Sequence, residues 1–426
     1  MYEHRACRTR PRRGISFSKE QRRQYQKKIK EYVLKQMDLS REISDEGIRE
    51  LIDEGILRES RERYIPGREK VMLCKEIFNS IRRLDALQEL LEDKDITEIM
   101  INGASDIFVE RGGRVSRWDK EFESRERLED VIQHIVSGAN RIVNESNPIV
   151  DVRLEDGSRV NIVLPPVALN GPVVTIRRFP EQAITMEELV QRNSLTREVA
   201  DFLKNLVEAK YNIFISGGTG AGKTTFLNAL SQFIPRDERV ITVEDSAELQ
   251  IQGVANLVRL EVRNANTEGK NGISIRDLIK SALRMRPDRI IVGEVRDSAA
   301  IDMIQAMNTG HDGSLSTGHA NSPPDMLERL ETLVLMGMDI PLQAVQNQIS
   351  SAIDIIVQLG RLRDKSRRTL EVAEVLGCRE GEFLLNPLYT FREKGEDEEG
   401  RITGQLEATG NVLQACGKLE RAGLQP

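Results

Sequence analysis

Long apolar runs are missing from this chain. No stretch approaches the roughly 20 apolar residues that span a bilayer core, and the start lacks the apolar h-region of a secretory signal. The expectation is a protein that stays where it is made. Cysteine is scarce, and Cys7, Cys74, Cys378 and Cys416 lie far apart. That spacing contains no CxxC pair or thiolate zinc module, and disulfides are not expected in a reducing compartment. Histidine is equally scarce, with four residues, and no period of 20–50 residues marks a repeat protein. A surplus of one charge is absent too: 62 Lys+Arg against 68 Asp+Glu give −6, too mild to name a partner. The balance is uneven, however. Residues 1–30 hold eleven Lys/Arg against Glu3 and Glu20. Such an arm reads as a solvated tail, or as a segment that touches anionic lipid or nucleic acid.

What the chain does have is one sharp local signal. The apolar stretch Tyr211–Ser216 runs into Gly217-Gly218-Thr219-Gly220-Ala221-Gly222-Lys223-Thr224, and Thr225–Leu230 reads as a helix. Strand, glycine loop, Lys-Thr and helix form the P-loop pattern. Its glycines let backbone N–H groups turn inward around phosphate oxygens, and the helix adds its positive end. Lys223 is expected on the β- and γ-phosphates, and the hydroxyl of Thr224 on Mg²⁺, with Thr225 completing the cradle. ATP and Mg²⁺ are therefore the expected ligands.

Around this signal the 426 residues divide into several parts. Residues 1–70 read as a basic, helical, partly disordered extension, with helices near 18–35 and 43–57. Residues 71–180 begin with an amphipathic helix (71–91) and continue as a compact α+β segment of short strands and hairpins around a helix near 125–143. Residues 181–196 read as an interdomain linker. From 197 to 392 helices alternate with strands at 211–216, 239–244 and 289–293, with a hairpin-like stretch at 255–263; this is a mostly parallel α/β sheet covered by helices. The charged run 393–401 reads as a breaker followed by a short helix packed on the surface or a tail, and 393–426 as a C-terminal tail.

Several side chains behind the P-loop carry candidate chemistry. Arg289–Gly293 is a buried-type strand that ends at Glu294, where a carboxylate can hold Mg²⁺ through water or polarise the attacking water. Val240–Val243 ends likewise at Glu244 and Asp245, which read equally as metal support or as a cap of the next turn. His311 and His319 lie in a loop rich in glycine and hydroxyls that can sense a γ-phosphate; a metal site there is not expected. Arg153, Arg159, Arg177 and Arg178 read as a solvated basic face, or as arginine fingers offered to a neighbouring subunit.

Four blocks in this order, GGTGAGKTT (217–225), ITVEDSAEL (241–249), RPDRIIVGEVRDSAA (286–300) and NTGHDGSLSTGHANSP (308–323), resemble those of the type II/IV secretion-system ATPases. The likeness is to the CpaF-like branch that powers Tad/Flp pilus assembly, and it covers roughly 70–390. Upstream, VDVRLEDGSRVNIVLPP (150–166) and VTIRRF (174–179) resemble that family's N-terminal domain. The resemblance implies a RecA-like motor domain after a PAS-like domain, a homo-hexamer at the cytoplasmic face of the cell membrane, and an integral membrane platform protein as partner. It implies Glu294 and Glu244 as catalytic and metal-supporting acids, His311 and His319 as residues of a histidine box, and Arg177 and Arg159 as phosphate contacts. The strand at Glu294 ends in Gly-Glu rather than Asp-Glu, so metal contact through water is implied. The four-cysteine module of the type II branch is absent. A conjugation-type ATPase that moves DNA or protein and a non-hydrolysing scaffold are the alternative readings.

Overall fold

The computed structural model describes residues 17–37, 43–139, 141–178, 183–263 and 271–425. The expectation of disorder at the N-terminus falls mainly on residues 1–16, outside the described residues. The chain divides into two units, Met1–Pro180 and Glu181–Pro426.

The first unit opens with helices α1 (Lys19–Gln36), α2 (Asp45–Glu62), α3 (Gly67–Arg82) and α4 (Ala86–Glu92). Serine hydroxyls start the first two: Ser18 accepts from the N–H of Gln21, and Ser44 from that of Gly47. Apolar residues four apart (Ile29 and Val33; Ile48, Ile52 and Ile56; Leu73 and Ile77) line one face of each helix. Together they close a core that α1 and α2 share with α3. α1 and α2 fall where helices are expected, near 18–35 and 43–57. The helix expected over 71–91 is broken at Arg83–Asp85, where Asp85 takes φ 55°.

Strands β1 (Ile96–Asn102), β2 (Ile107–Arg111) and β3 (Arg114–Arg117), helix α5 (Arg125–Gly138) and strands β4 (Ile149–Arg153), β5 (Arg159–Val163) and β6 (Val173–Arg177) complete this unit. The sheet is antiparallel, in the order β3-β2-β1-β6-β5-β4. Period-2 alternation decides its faces. Ile99, Val109, Val160 and Ile176 pack with Leu128, Val131, Ile132 and Ile135 of α5. On the alternate positions Arg153 pairs with Arg159, Arg159 with Arg177, and Arg177 with Glu98.

The second unit comprises α6 (Met186–Gln191), α7 (Arg197–Glu208), β7 (Ile213–Gly217), α8 (Lys223–Ser231), β8 (Arg239–Glu244), β9 (Asn256–Glu261), α9 (Ile275–Ala282), β10 (Arg289–Val292), α10 (Ala299–Asn308), β11 (Leu315–Gly318), α11 (Pro323–Leu335) and α12 (Leu342–Ala352), then β12 (Ile355–Arg361), β13 (Arg367–Arg379), β14 (Glu382–Glu396), β15 (Ile402–Ala408) and α13 (Gly417–Ala422). One nine-stranded sheet runs β15-β14-β13-β12-β7-β11-β10-β8-β9. From β12 to β9 neighbouring strands are parallel; β13–β15 extend the sheet as an antiparallel meander. The inner strands are buried along their length, as a sheet covered on both faces requires. Ile213 and Ile215 join the core formed with α7 and α8. Phe214 points the other way, into the core built by α9–α12.

Three expectations for this unit fail for physical reasons. The segment read as a linker, 181–196, carries α6, and Met186, Leu189 and Leu195 are buried in the α7–α8 core. The charged run after 392 does not break the chain into a tail. Glu393 and Glu396 lie at exposed positions of β14 and Asp397, Glu398 and Glu399 in the exposed turn before β15, while Ile402, Leu406, Leu413 and Leu419 are buried. The stretch 255–263 is not a hairpin, because β9 pairs in parallel with β8.

Candidate active site

The glycine loop leaves β7 and enters α8. Gly220 (φ 73°) and Gly222 (φ 94°) take left-handed conformations that a side chain disfavours. Gly222 is the N-cap of α8, so the first-turn N–H groups, which have no intrahelical acceptors, face the loop. Lys223 is buried. Its Nζ donates to the carbonyls of Gly217 (3.0 Å) and Gly218 (3.1 Å) and lies 3.2 Å from His319 Nδ1.

Strand order brings the remaining groups to this loop. β7, β11, β10 and β8 are adjacent and parallel, so residues that follow their carboxyl ends line one edge of the sheet. The loop follows β7, His319 follows β11, Glu294 lies two residues past β10, and Glu244 ends β8. His319 Nε2 is 2.8 Å from Glu294 Oε1. Arg296 donates to Glu294 Oε2 at 2.7 Å and reaches toward Asp245 at 3.5 Å. Glu244 is buried, and its Oε2 accepts the N–H groups of Glu248 (2.6 Å) and Leu249 (2.7 Å). Glu244 thus caps a turn and still belongs to the site edge. Gly293 permits the approach of the two acids, since a Cβ there would stand 3.1 Å from Glu244 Cγ.

Burial lowers the pKa of His319, and the Lys223 cation lowers it further. A neutral ring fits the contact with Lys223, from whose ammonium Nδ1 accepts, while Nε2 lies close to Glu294 Oε1 outside hydrogen-bond geometry. For Glu294, burial opposes ionisation, but the hydrogen bond and charge of Arg296 and the charge of Lys223 hold its carboxyl below the usual range. Burial raises Glu244 to about 7, against the pull of its two backbone donors.

Mg²⁺ fits this edge. Thr224, Glu294 and Glu244 offer hard oxygen donors, and Glu244 Oε1 is buried with no hydrogen-bond partner among the described residues. No group of three or more His, Cys, Asp or Glu among the described residues forms a dedicated metal cage.

Of the residues singled out in the sequence, Gly217, Gly218, Thr219, Gly220, Ala221, Gly222, Lys223, Thr224, Thr225, Glu244, Glu294 and His319 meet here. His311 does not. It precedes β11, at the opposite edge of the sheet, with Nδ1 3.3 Å from the carbonyl of Ala306. Four strand residues at about 3.3 Å each separate the two histidines. Arg159 and Arg177 belong to the first unit, directly opposed on β5 and β6. Arg296, which fixes Glu294, was missed; its signal is a lone arginine two residues past the acid.

The profile of the family described as type II/IV secretion system protein matches residues 82–403. The chain belongs to this family. It is 35% identical over 303 residues to the conjugal transfer protein TrbB of Rhizobium radiobacter, covering 70% of this chain and 90% of that one. It is 31% identical over 330 residues to the type IV secretion system protein VirB11 of Bartonella henselae, covering 68% and 91%. Among solved structures, the ATPase DotB of Yersinia pseudotuberculosis shares the fold with a TM-score of 0.51 at 19% identity, over 68% of this chain and 78% of that one. The nine-stranded unit of this secretion-system family member is accordingly RecA-like.

Proposed function

We propose that this chain hydrolyses ATP to ADP and phosphate, and that hydrolysis drives a secretion or pilus machine at the cytoplasmic face of the cell membrane. The observation that carries the reading is the convergence of the glycine loop, Lys223, His319, Glu294 and Glu244 on one edge of four adjacent parallel strands. Lys223 exchanges its two carbonyl acceptors for phosphate oxygens. Glu294, held ionised by Arg296, orients a water and receives its proton. Neutral His319 bridges Lys223 and Glu294 and so reports phosphate occupancy to the base. Mg²⁺, when bound, supplies charge neutralisation and orientation of the phosphates. The test is phosphate release by Glu294→Gln, which is expected to bind ATP without turning it over; near-normal turnover removes the assignment.

For the assembly we propose a homo-hexamer acting on an integral membrane platform protein. Arg159 and Arg177 then reach the phosphates of a neighbouring subunit as arginine fingers. In support, Arg153, Arg159 and Arg177 stand in register on adjacent strands and concentrate positive charge on one face. The measurement is ATPase activity as a function of protein concentration. Arg177→Ala is expected to abolish the rise that accompanies ring formation. For the cargo, our reading is assembly of a Tad/Flp-type pilus. The names of the relatives favour a second reading, a conjugation-type system, at least as well. Loss of pili on deletion of the gene supports the first. Loss of plasmid transfer, with salt-sensitive DNA binding that requires residues 1–30, supports the second.

A further inference from the structure

A second pair of arginines lies against the glycine loop, within the same unit. β12 runs beside β7, with Leu359 opposite Gly217. It continues to Arg361, past the point where β7 gives way to the loop. Its partner strand β13 begins at Arg367, and Arg361 and Arg367 are directly opposed in the ladder. Like charges in that position disfavour the pairing. Both side chains border the loop: Arg361 Nη1 is 3.8 Å from where a Cβ on Gly220 would stand, and Arg367 Cδ is 3.4 Å from where one on Gly222 would stand.

The turn that carries them is braced on two sides. Arg363 forms a fork on Glu393 (2.6 and 2.9 Å) and a further bond to Glu396 (2.8 Å), both on β14. Asp364 accepts the N–H of Ile402 on β15. From the other side, Ser194 donates to the carbonyl of Arg367 and accepts the N–H of Thr369. The antiparallel meander and the segment before α7 thus hold the Arg361 guanidinium and the Arg367 side chain beside the phosphate cradle. Pre-organisation of this kind limits the entropy lost when an anion binds.

We propose that Arg361 and Arg367 are nucleotide-binding residues acting within their own subunit, gripping the phosphates that ADP shares with ATP. The proposal rests on the nucleotide-binding reading of the loop. The choice of phosphates follows from strand order. β12 flanks β7 on one side, while β11, which delivers His319 toward Glu294, flanks it on the other. The hydrolytic groups approach the terminal phosphate from the β11 side, and the arginines approach the loop from the opposite flank. Such a grip gives a product-holding element that works in a lone subunit, unlike arginines donated by a neighbour.

The experiment is titration of the full-length protein with Mg-ADP and with a non-hydrolysable ATP analogue, comparing Arg361→Gln, Arg367→Gln, the double variant and Lys223→Ala. A charge-assisted hydrogen bond to phosphate predicts a rise in Kd of about tenfold per single variant, and more for the pair. The factor is expected to be the same for both nucleotides, with unchanged melting in the absence of nucleotide. Wild-type Kd in the double variant, alongside loss of binding in Lys223→Ala, overturns this proposal and leaves the nucleotide site standing. No binding by the unaltered protein overturns both. A loss confined to the ATP analogue overturns the assignment to the shared phosphates. If the glutamine variants melt early, phenylglyoxal labelling of the unaltered chain decides. Protection of Arg361 and Arg367 by ADP supports the grip, and equal labelling with and without ADP overturns it.

Discussion

The two edges of the nine-stranded sheet bury charge in opposite ways. At the edge where the parallel strands begin, the charges are matched. Arg289, with no exposed surface, lies in a two-pronged pair with Glu238 and also donates to the carbonyl of Gly313. Lys418 bridges Asp354 (2.7 Å) and Asp312 (2.8 Å), while Asn212 bonds Ala352 and Ser314. At the edge where the strands end, matching is incomplete. Glu244 and Glu294 each keep a buried carboxylate oxygen without a hydrogen-bond partner among the described residues. Buried polar groups that lack full pairing cost stability. The contrast teaches that this unit is held together at one edge and kept receptive at the other.

That comparison can be broken by substitution. The largest effect is expected for Glu294→Gln, with the turnover number falling by about 10²–10⁴ while nucleotide affinity persists; steady-state and binding assays together check it. Next, Arg289→Ala is expected to cost about 3 kcal/mol, because buried Glu238 loses its two-pronged partner and keeps only the ion pair with Lys210 at 3.4 Å. Denaturant melts measure this, and the folded fraction should retain its nucleotide affinity. A loss of affinity as large as the loss of stability would mean that the edges are not separate.

The pH dependence sharpens the contrast further. Glu244 ionises near 4.5 when unfolded and near 7 when folded. Between those values the nucleotide-free folded state keeps a proton that the unfolded state has released. Stability therefore falls as pH rises through this window and levels off above it, with a ceiling of roughly 3 kcal/mol. Glu244→Gln is expected to flatten that slope. The smallest effect is expected for His311→Ala, about 1 kcal/mol or less in stability and near-normal hydrolysis. A hydrolysis defect like that of His319→Ala would return His311 to the site.

The sequence was legible where chemistry is local to a strand end. The glycine loop, Glu244 and Glu294 each follow a short apolar run, so pattern alone located them, and parallel pairing then brought them together. His311 and His319 share one loop-like motif, but Leu315–Gly318 forms a strand between them and sends them to opposite edges. Arg361 and Arg367 had no local signal. They reach the loop only because β12 pairs with β7 across some 140 residues of chain. The run Glu393–Arg401 read as a breaker because its charge outweighs its apolar content. In an edge meander those charges face solvent and brace Arg363 instead. The segment 181–196 was misread for a related reason: its few apolar residues are dispersed, yet Met186, Leu189 and Leu195 all turn inward.

The clasp around α13 bears on synthesis. Glu374 receives the N–H groups of Gln414 and Ala415, Tyr211 donates to the carbonyl of Ala415, and Leu419 is fully buried beside the α7 core. None of these contacts exists until residues 414–419 have been translated, although Tyr211 emerges some two hundred residues earlier. A nascent chain arrested near residue 400 thus carries an open seam beside its first parallel strand, and that seam closes only after residues 414–419 have emerged.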